Sequence, residues 1–467
     1  MLRDLAFVVG YAVIQVLSTT ASVWAADFGT AEEAKAMLER AVAAVKEDKA
    51  KALDMFNKGE GGFKDRDLYV WCANASDGKH ALLLRTFLAP TSFVAAVMWT
   101  IWAQAAEPIT VLAPFNLSGP QAALGAPCYR GAELAVEKLN AAGGVLGHRI
   151  ELIPIDTASE VSRTTNELDS ALERYPNATA GIGYTDSTYA LDAGRVFQKA
   201  GIPFITPGAT APDLPNQVGS GMFLAAYGDD AQALAMAKYA WNELKLRHVA
   251  LWVDESSVYT RTVGGFFEEF FRNLGGTVDR RNFAAGVTDF DDWIAAFKKA
   301  DSKPQAIYGA SMPRSAVSLI EQVRDAGVDV PLLSGDGWDD EAIVKSSKSN
   351  GIKNIVFTTH LFLGVDTPGM KEFSEAYKQK FGSPPPNAFA PLGFDSVNLL
   401  ATAIERAGST QPEAVRTALA NTHDFEGLVG KIAYSPGKRV PDKAVAIIKI
   451  DDGVETPVWR WMPQRHE

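Results

Sequence analysis

The fold is decided by Gly181-Ile-Gly-Tyr-Thr-Asp-Ser-Thr188 and Ala200-Gly-Ile-Pro-Phe-Ile-Thr-Pro-Gly-Ala-Thr210, two segments separated by residues 189–199, which have the spacing of an amphipathic helix. In each segment a short apolar run, typical of a buried strand, opens into a turn of small and hydroxyl-bearing residues. This order of strand, turn and helix is the repeating unit of an open parallel sheet, where ligands bind at the carboxyl ends of the strands. The two turns therefore predict a cradle of N–H and hydroxyl groups for a small anion such as a carboxylate.

The composition is that of an ordinary globular protein of 467 residues, 47% hydrophobic and 22% charged, long enough for two or three domains. The net charge of -11 comes from residues of both signs with no long run of either, which argues against nucleic acid and anionic membrane as partners. Cys72 and Cys128 stand in no CxxC or Cys/His ligand spacing. We therefore expect no metal site, no cofactor and no disulfide framework.

The N-terminus predicts export. Arg3 precedes an apolar run, and Val23-Trp-Ala25 has the small-residue character of a cleavage site. We predict a signal peptide over residues 1–25, with an N-terminal membrane anchor as the alternative. The resulting location is the periplasm.

A second signal-like segment covers residues 81–106. Its apolar run, 87–102, follows Arg85 and ends before Ala103-Gln-Ala105, again typical of a cleavage site. We expect membrane contact only through this run or through an uncleaved first signal.

From residue 107 to 467, apolar strand patterns alternate with helical ones, which implies α/β architecture with parallel sheets covered by helices on both faces. A single open sheet of so many units would be unusually wide, so the sequence predicts two lobes joined by several crossovers. We place the boundaries of lobe 1 at about 107–227 and 358–431, and those of lobe 2 at about 228–357 and 432–467.

The segment from Glu107 to about Trp461 resembles a type I periplasmic binding protein of the branched-chain amino acid transporter class. The resemblance rests on the order and spacing of Leu117-Ser-Gly-Pro120, Gly131-Ala-Glu-Leu-Ala-Val-Glu-Lys-Leu-Asn-Ala-Ala-Gly-Gly-Val-Leu-Gly147, Ile155-Asp156, Ala200-Gly-Ile-Pro-Phe-Ile-Thr-Pro-Gly-Ala-Thr-Ala-Pro212 and Leu392-Gly-Phe-Asp-Ser396. It implies a two-lobed fold with hinge crossovers, capture of an amino acid by lobe closure, and delivery to an ABC permease of the inner membrane. Residues 27–79, within a segment of 26–80, resemble instead the truncated start of a Cache domain, and we assign that segment no ligand.

Three hydroxyl groups are the leading candidates for binding a carboxylate: Ser187, Thr188 and Thr210. Several convergent donors suit an α-carboxylate without burying a competing cation, whereas an isolated turn of this kind would only cap a helix. The resemblance places the ligand carboxylate on the serine and threonine of these turns and the ligand ammonium against the carbonyl of Gly208. Gln121 is a weaker lining candidate.

The second lobe supplies two further candidates. The resemblance implies an acid near Asp336 that neutralises the ammonium, because a buried ammonium without a counter-charge costs several kcal/mol. Asp339 and Asp340 are rival assignments that we expect to cap a helix instead. Tyr259 stands where the resemblance implies an aromatic that closes over the ligand, and a buried core tyrosine is the alternative.

The ligand itself stays open at this point. Leu124 and the segment Gly309-Ala-Ser-Met312 depart from the aromatic residues common in the family, so a preference for leucine does not follow, and a non-amino-acid carboxylate or amide remains an alternative. Enzyme signatures such as a nucleophile elbow, a P-loop or HExxH are missing, so we expect no enzyme, and we expect His360 to be structural. A ligand-sensing receptor module is the alternative function.

Overall fold

The computed structural model describes residues 7–10, 31–65, 68–69, 71–74, 107–284 and 286–463. These divide into two compact units, 1–104 and 105–467. Most of the predicted signal peptide and the whole 81–106 segment lie outside the described residues. None of the described helices is long and apolar enough to cross a membrane.

The first unit is a helix pair with short strands: β1 (Phe7–Gly10), α1 (Ala31–Glu47), α2 (Lys49–Lys58), β2 (Lys64–Asp65), β3 (Leu68–Tyr69) and β4 (Trp71–Asn74). Strands β1 and β4 pair antiparallel, as do β2 and β3. The side chain of Asp48 caps α2, and Gly59 ends it with a left-handed φ of 67°. A cut after Ala25, where the sequence predicts one, would remove β1 from β4. The Cache resemblance stays a prediction.

Lobe 1 of the second unit is built around a five-stranded parallel sheet in the order β6-β5-β7-β8-β9. Its elements are β5 (Ile109–Phe115), α3 (Ala122–Ala141), β6 (Ile150–Asp156), α4 (Val161–Arg174), β7 (Ala180–Ile182), α5 (Ser187–Ala200), β8 (Phe204–Thr206), α6 (Leu214–Val218) and β9 (Met222–Leu224). The central strands are buried on both faces, as expected of a sheet covered by helices on each side.

Lobe 2 contains a seven-stranded sheet in the order β11-β10-β12-β13-β14-β17-β18. The chain enters it through α7 (Asp229–Asn242), β10 (His248–Asp254), α8 (Val258–Asn273), β11 (Thr277–Phe283), α9 (Asp291–Lys299), β12 (Ala306–Ala310), α10 (Pro313–Asp325), β13 (Leu332–Ser334), a 3₁₀ turn (Asp336–Trp338), α11 (Glu341–Asn350) and β14 (Ile355–Thr359). The strands from β11 to β14 are parallel, and β17 and β18 add an antiparallel edge.

The chain then returns to lobe 1 and leaves it again. The returning elements are α12 (Pro368–Phe381), α13 (Phe389–Ala407), α14 (Pro412–Ala420), β15 (Phe425–Gly427) and β16 (Gly430–Ile432), and the last two strands, β17 (Val445–Asp451) and β18 (Val454–Trp461), complete the sheet of lobe 2. Three segments therefore cross between the lobes. The first and third are tied together, because buried Lys443 donates from Nζ to the carbonyl of Ala225 at 3.1 Å. The alternation and the two lobes confirm the predicted α/β fold class.

Helices α3 and α13 pack with their backbones in direct contact, because each carries a glycine at the crossing. A Cβ atom on Gly131 would overlap the carbonyl of Ala390, and one on Gly393 would overlap the carbonyl of Cys128. The returning helix is thus bound to lobe 1 through a contact that any larger residue would separate.

The substitution Gly131→Ala should destabilise the protein by about 1–3 kcal/mol, because the methyl group forces two close-packed helices apart. Urea unfolding followed by circular dichroism measures the change. The matched control is Gly265→Ala in α8, where a Cβ atom meets nothing within 4 Å and helix propensity should add about 0.5–1 kcal/mol of stability. Equal effects of the two substitutions would contradict the packing argument.

Candidate ligand-binding site

The turn after β7 begins with a strained residue. Tyr184 has a φ of 57°, a left-handed backbone conformation that costs a bulky residue about 1 kcal/mol or more. It is held there because its N–H donates to Pro114 O at 3.0 Å and its carbonyl accepts from Thr206 Oγ1 at 3.0 Å. The sharp bend ends the strand and opens the turn of residues 185–188 at the carboxyl edge of the sheet.

Ser187 joins the two turns that the sequence singled out. Its Oγ accepts hydrogen bonds from the backbone N–H groups of Thr210, at 3.3 Å, and Ala211, at 3.1 Å. The structure therefore brings Ser187 and Thr210 together. Both are buried, and the two accepted bonds leave the hydroxyl hydrogen of Ser187 to donate.

Gly208 lies where no side chain fits. A Cβ atom at this position would come within 2.7 Å of the Phe389 ring and 3.2 Å of Thr185 Cγ2. Glycine is therefore required for the second turn to approach the first. The contact also draws attention to Thr185, a buried hydroxyl residue that sequence reasoning left out of the site although it stands in the same polar turn as Ser187.

A short network of side chains links the N-terminal ends of α5 in lobe 1 and α8 in lobe 2. Asp186 caps α5 through Oδ1, which accepts from Thr188 N at 2.7 Å, and its Oδ2 accepts from Ser257 Oγ at 3.0 Å. Ser257 in turn caps α8 at Tyr259 N, and Thr188 Oγ1 accepts from Val258 N at 3.0 Å. We call this group, Asp186, Thr188, Ser257 and Val258, the interlobe latch.

Burial raises the pKa of Asp186 within the latch, and its hydrogen bonds offset only part of that effect. The carboxylate nevertheless lies at the positive ends of two helix dipoles, which favours its charged form. Thr188 is predicted as a ligand contact, and in this structure its Oγ1 accepts a hydrogen bond from Val258 N of the other lobe. Its role toward a ligand stays a prediction.

Asp336 lies on the 3₁₀ turn after β13 and is 2% exposed, and both of its carboxylate oxygens are occupied. Oδ1 accepts from Gln232 Nε2 at 2.8 Å, and Oδ2 lies 2.9 Å from His360 Nε2. The backbone N–H of Asp336 also donates to Gln232 Oε1 at 3.0 Å. His360, which the sequence analysis expects to be structural, therefore contacts the carboxylate of the predicted site acid.

Gln232 connects this acid to a second one. Its Nε2 donates at 2.8 Å to Asp229 Oδ1 as well as to Asp336, and its Oε1 accepts from Thr358 Oγ1 at 2.6 Å as well as from the backbone. All donors and acceptors of this fully buried amide are thus used, which fixes its orientation. We call Asp229, Gln232, Asp336 and His360 the acid network.

The second carboxylate is only half satisfied. Asp229 Oδ2 is buried and has no hydrogen-bond partner within the described part of the chain. Burial raises the pKa of Asp229 well above its ordinary value, the charge of Asp336 raises it further, and the nearby Thr210 hydroxyl and the amide of Gln232 oppose the rise. Sequence reasoning missed both Asp229 and Gln232. The available signal was their spacing of three residues at a helix start, which puts an acid and an amide on one face.

Tyr259 supports the turn that carries Asp336. Its hydroxyl oxygen accepts from Gly337 N at 2.8 Å, and a Cβ atom on Gly335 would lie 2.5 Å from that oxygen. The ring is buried, and burial followed by the charge of Asp336 raises the pKa of Tyr259 well above its ordinary value. In this structure the tyrosine braces the acid network, and its predicted contact with the ligand stays a prediction.

The rival acids were both expected to cap the helix that begins directly after them, and this is right for Asp340 and wrong for Asp339. Asp340 caps α11, with Oδ1 accepting from Ala342 N at 2.6 Å. Asp339 caps a helix of the other lobe: its Oδ2 accepts from Ala388 N, at the start of α13, at 3.1 Å, and from Thr359 Oγ1. Burial raises the pKa of Asp339 to about 7, and the bond from Thr359 opposes the rise.

The first loop of lobe 1 contributes Gln121, directly before α3. Its backbone N–H donates to Ser159 Oγ at 3.0 Å. Its side-chain Oε1 is buried and has no hydrogen-bond partner among the residues that the structure describes. This unpaired acceptor agrees with a lining role, which stays a prediction. No group of three or more His, Cys, Asp or Glu residues in the described ranges has the arrangement of a metal site.

A family model described as "Periplasmic binding protein" matches residues 108–455. The chain belongs to the periplasmic binding protein family. This match confirms the resemblance to type I binding proteins of the branched-chain amino acid class. The chain is 28% identical over 368 residues to the Leu/Ile/Val-binding protein homolog 3 of Brucella melitensis. The aligned region covers 78% of this chain and 97% of that relative.

Solved structures agree with the family assignment. The branched-chain amino acid transporter substrate-binding protein LivJ of Streptococcus pneumoniae, in complex with isoleucine, is 29% identical with a TM-score of 0.70 and covers 76% of this chain and 100% of its own. The leucine-binding protein LivK of Thermotoga maritima is 27% identical with a TM-score of 0.70, and the match covers 75% of this chain and 98% of that protein. The relatives and solved structures named here are binding proteins and not enzymes.

The raised pKa of Asp339 makes stability depend on pH. Because the folded pKa of about 7 exceeds the ordinary 3.8, the folded state binds this proton more tightly, and stability falls as the pH rises from about 4 to about 7. Asp339→Asn should reduce that fall and make the protein more stable at pH 8 by roughly 2 kcal/mol, since the amide still accepts from Ala388. Part of the loss of stability with rising pH should remain in the variant, because burial raises the pKa of Asp395 to about 6.

Thermal unfolding of wild type and variant between pH 4 and pH 8 measures this difference. Asp213→Asn is the control, because that exposed carboxyl has a lowered pKa from its bonds to Asn216 and Gln217 and does not contribute to a loss of stability with rising pH. Parallel stability curves for wild type and Asp339→Asn would contradict the assignment.

Proposed function

We propose that the chain is an extracytoplasmic solute-binding protein that captures an amino acid, branched-chain or related, by closure of its two lobes and delivers it to an ABC permease. The observation that carries the proposal is the meeting of two opposite kinds of site at one residue. Thr210 belongs to the hydroxyl turns of lobe 1, and its carbonyl accepts from Asp229 N of the acid network at 2.7 Å. A carboxylate and an amine one carbon atom apart fit this junction.

The carboxylate end is formed by the turns of lobe 1. Thr185, Ser187 and Thr210 carry hydroxyls at the carboxyl ends of β7 and β8, next to the N-terminus of α5. Helix N-termini and hydroxyl donors stabilise an anion without a buried cation that would pair with it instead. The relatives named for Leu, Ile and Val binding support an α-carboxylate as that anion.

The amine end is the acid network. Asp229 and Asp336 are buried together, and burial lowers the pKa of His360, so the imidazole does not neutralise both acids near pH 7. Without a cation, burial and the charge of Asp336 favour the protonated form of Asp229, whose pKa is raised well above its ordinary value. An incoming ammonium supplies the missing positive charge, which favours an amino acid over a plain carboxylate.

Closure is supported by the interlobe latch and by Asp339, since each joins groups from different lobes. A ligand that contacts both lobes shifts the equilibrium toward the closed form by its differential affinity. Met312 belongs to the segment that departs from the aromatic residues common in the family. It packs against the apolar cores of both lobes and therefore lies at their interface. The size of the accepted side chain therefore has to be measured.

Isothermal titration calorimetry with a panel of amino acids, benzoate and short-chain carboxylates, combined with small-angle scattering, tests the proposal. We expect at least one amino acid to bind with a measurable heat and to compact the protein. Benzoate or another plain acid as the best ligand would point to a non-amino-acid solute. A panel that gives neither heat nor compaction would overturn the function.

The substitution Thr210→Val should weaken the binding of that amino acid by about tenfold to a hundredfold, the loss of one hydrogen bond to a charged group. Thr277→Val, at the exposed start of β11, is the matched control and should leave the affinity unchanged. Unchanged affinity in Thr210→Val would remove this hydroxyl from the site.

A further inference from the structure

The ring of His360 holds an unpaired nitrogen inside the acid network. The side chain is fully buried, directly after β14, with Nε2 2.9 Å from Asp336 Oδ2. Nδ1 is buried and has no hydrogen-bond partner in the described ranges. The ring stacks on Tyr227 at a centroid distance of 4.1 Å and meets Phe389 edge-on at 5.7 Å. These contacts fix the direction of Nδ1.

The neighbours of the ring decide where its proton lies. A carboxylate only accepts, and Asp336 already accepts from Gln232 on its other oxygen, so His360 Nε2 carries the hydrogen. Burial lowers the pKa of His360, Lys443 lowers it as well, and the hydrogen bond and charge of Asp336 oppose this. The ring is then neutral near pH 7, and Nδ1 is a bare acceptor.

Two other acceptors belong to the same region. Phe389 contacts both His360 and Gly208, whose carbonyl is the predicted acceptor for the ligand amine. Asp229 Oδ2 is a further buried acceptor that has no partner within the described residues, and Gln232 links its carboxylate to Asp336. An ammonium group has three N–H donors and is fully satisfied by three acceptors. The candidates for these three acceptors are Gly208 O, Asp229 Oδ2 and His360 Nδ1.

We propose that His360 binds the ligand's amine directly through Nδ1, and that Asp336 is a positioning residue which acts through the ring by fixing its tautomer. The inference rests on the proposed function, because it names the contact that recognises the amine of an amino acid. It differs from the direct acid contact that the family resemblance implies for Asp336: each oxygen of Asp336 already accepts one hydrogen bond here, whereas His360 Nδ1 accepts none among the described residues.

The test compares ligands with and without an amine. The pairs are L-leucine with 4-methylpentanoate, and L-phenylalanine with 3-phenylpropanoate, each titrated by calorimetry into wild type, His360→Phe and the control His248→Phe. His248 pairs with Asp279 on the exposed side of lobe 2. We expect His360→Phe to reduce the preference for the amine at least tenfold, while it keeps the stacked ring, and His248→Phe to leave it unchanged.

The pH dependence provides a readout that a merely structural histidine would not move. Protonation of the ring turns Nδ1 into a donor that repels an ammonium, so the affinity for the amine-bearing ligand should fall by about tenfold per pH unit below the pKa of His360. The deaminated partner should not show this fall, and His360→Phe should make it shallower. The charged and titratable groups around the ring are Asp229, Asp336, Asp339, Lys443 and Tyr227, so Asp229→Asn and Asp336→Asn are measured over the same range to separate their contributions from that of the ring.

Nitrogen-15 spectra of the histidine rings report which ring nitrogen carries the hydrogen. In the unmodified protein they test the inference without any substitution. We expect the hydrogen on Nε2 of His360, a shift of the Nδ1 resonance when the amino acid binds, and transfer of the hydrogen to Nδ1 in Asp336→Asn, with loss of the amine preference.

Two outcomes would overturn the inference alone. One is a wild type that binds L-leucine with an amine preference which His360→Phe retains, and the other is an Nδ1 resonance that ignores the ligand. A wild type that binds no amino acid at all would overturn the proposed function and this inference together.

Discussion

The rest of the site depends on one buried amide that holds two acids in place. Gln232 donates to Asp229 and Asp336 from a single nitrogen and accepts from two donors at its oxygen. Two like charges in a dry interior repel each other by several kcal/mol unless dipoles or a cation compensate them. The amide supplies part of that compensation and leaves Asp229 Oδ2 unpaired. The hydrogen bonds of Gln232 therefore stabilise the network in the folded protein, and the proposed ligand amine would pair with the acceptors that remain.

The network lies where the chain passes between the lobes. Asp229 follows the first crossing, His360 begins the second, and Lys443 of the third crossing donates to Ala225 in the first. Groups at a hinge change position least when the lobes move. Under the proposed function the amine end of the site would thus be largely preformed, whereas Ser257 and Val258 of lobe 2 contact lobe 1 through the interlobe latch.

The fold was accessible from the sequence because it is written in local patterns. Alternating apolar and amphipathic runs predicted the parallel sheets, and the two turns ending at Thr188 and Thr210 were correctly placed side by side, which Ser187 demonstrates by accepting from both Thr210 and Ala211. The acid network was not accessible in the same way. Gln232 and Asp336 are 104 residues apart, and nothing in the local sequence of either records that they share hydrogen bonds.

The roles of Tyr259 and Thr188 show the same limit from another side. A residue type and its place at a helix start predict that a side chain faces the cleft, but they do not say which partner it meets there. Tyr259 meets Gly337, and Thr188 meets Val258 of the other lobe. Which of several polar groups in a cleft is left free for a ligand depends on how the others satisfy one another, and this is a property of the packed structure.

These satisfied contacts separate the selection of a ligand from closure over it. Two of the buried acceptors that are unpaired among the described residues, Asp229 Oδ2 and His360 Nδ1, belong to the acid network. The groups that bridge the lobes, Asp186 and Ser257, are hydrogen-bonded to each other in this structure and cap the helices α5 and α8. Under the proposed function, a solute without an amine would satisfy the hydroxyl turns but leave the buried acids uncompensated, so it would gain less from closure. The acid network would then discriminate between solutes, whereas the hydrogen bond between Asp186 and Ser257 would contribute the same closing energy for each of them.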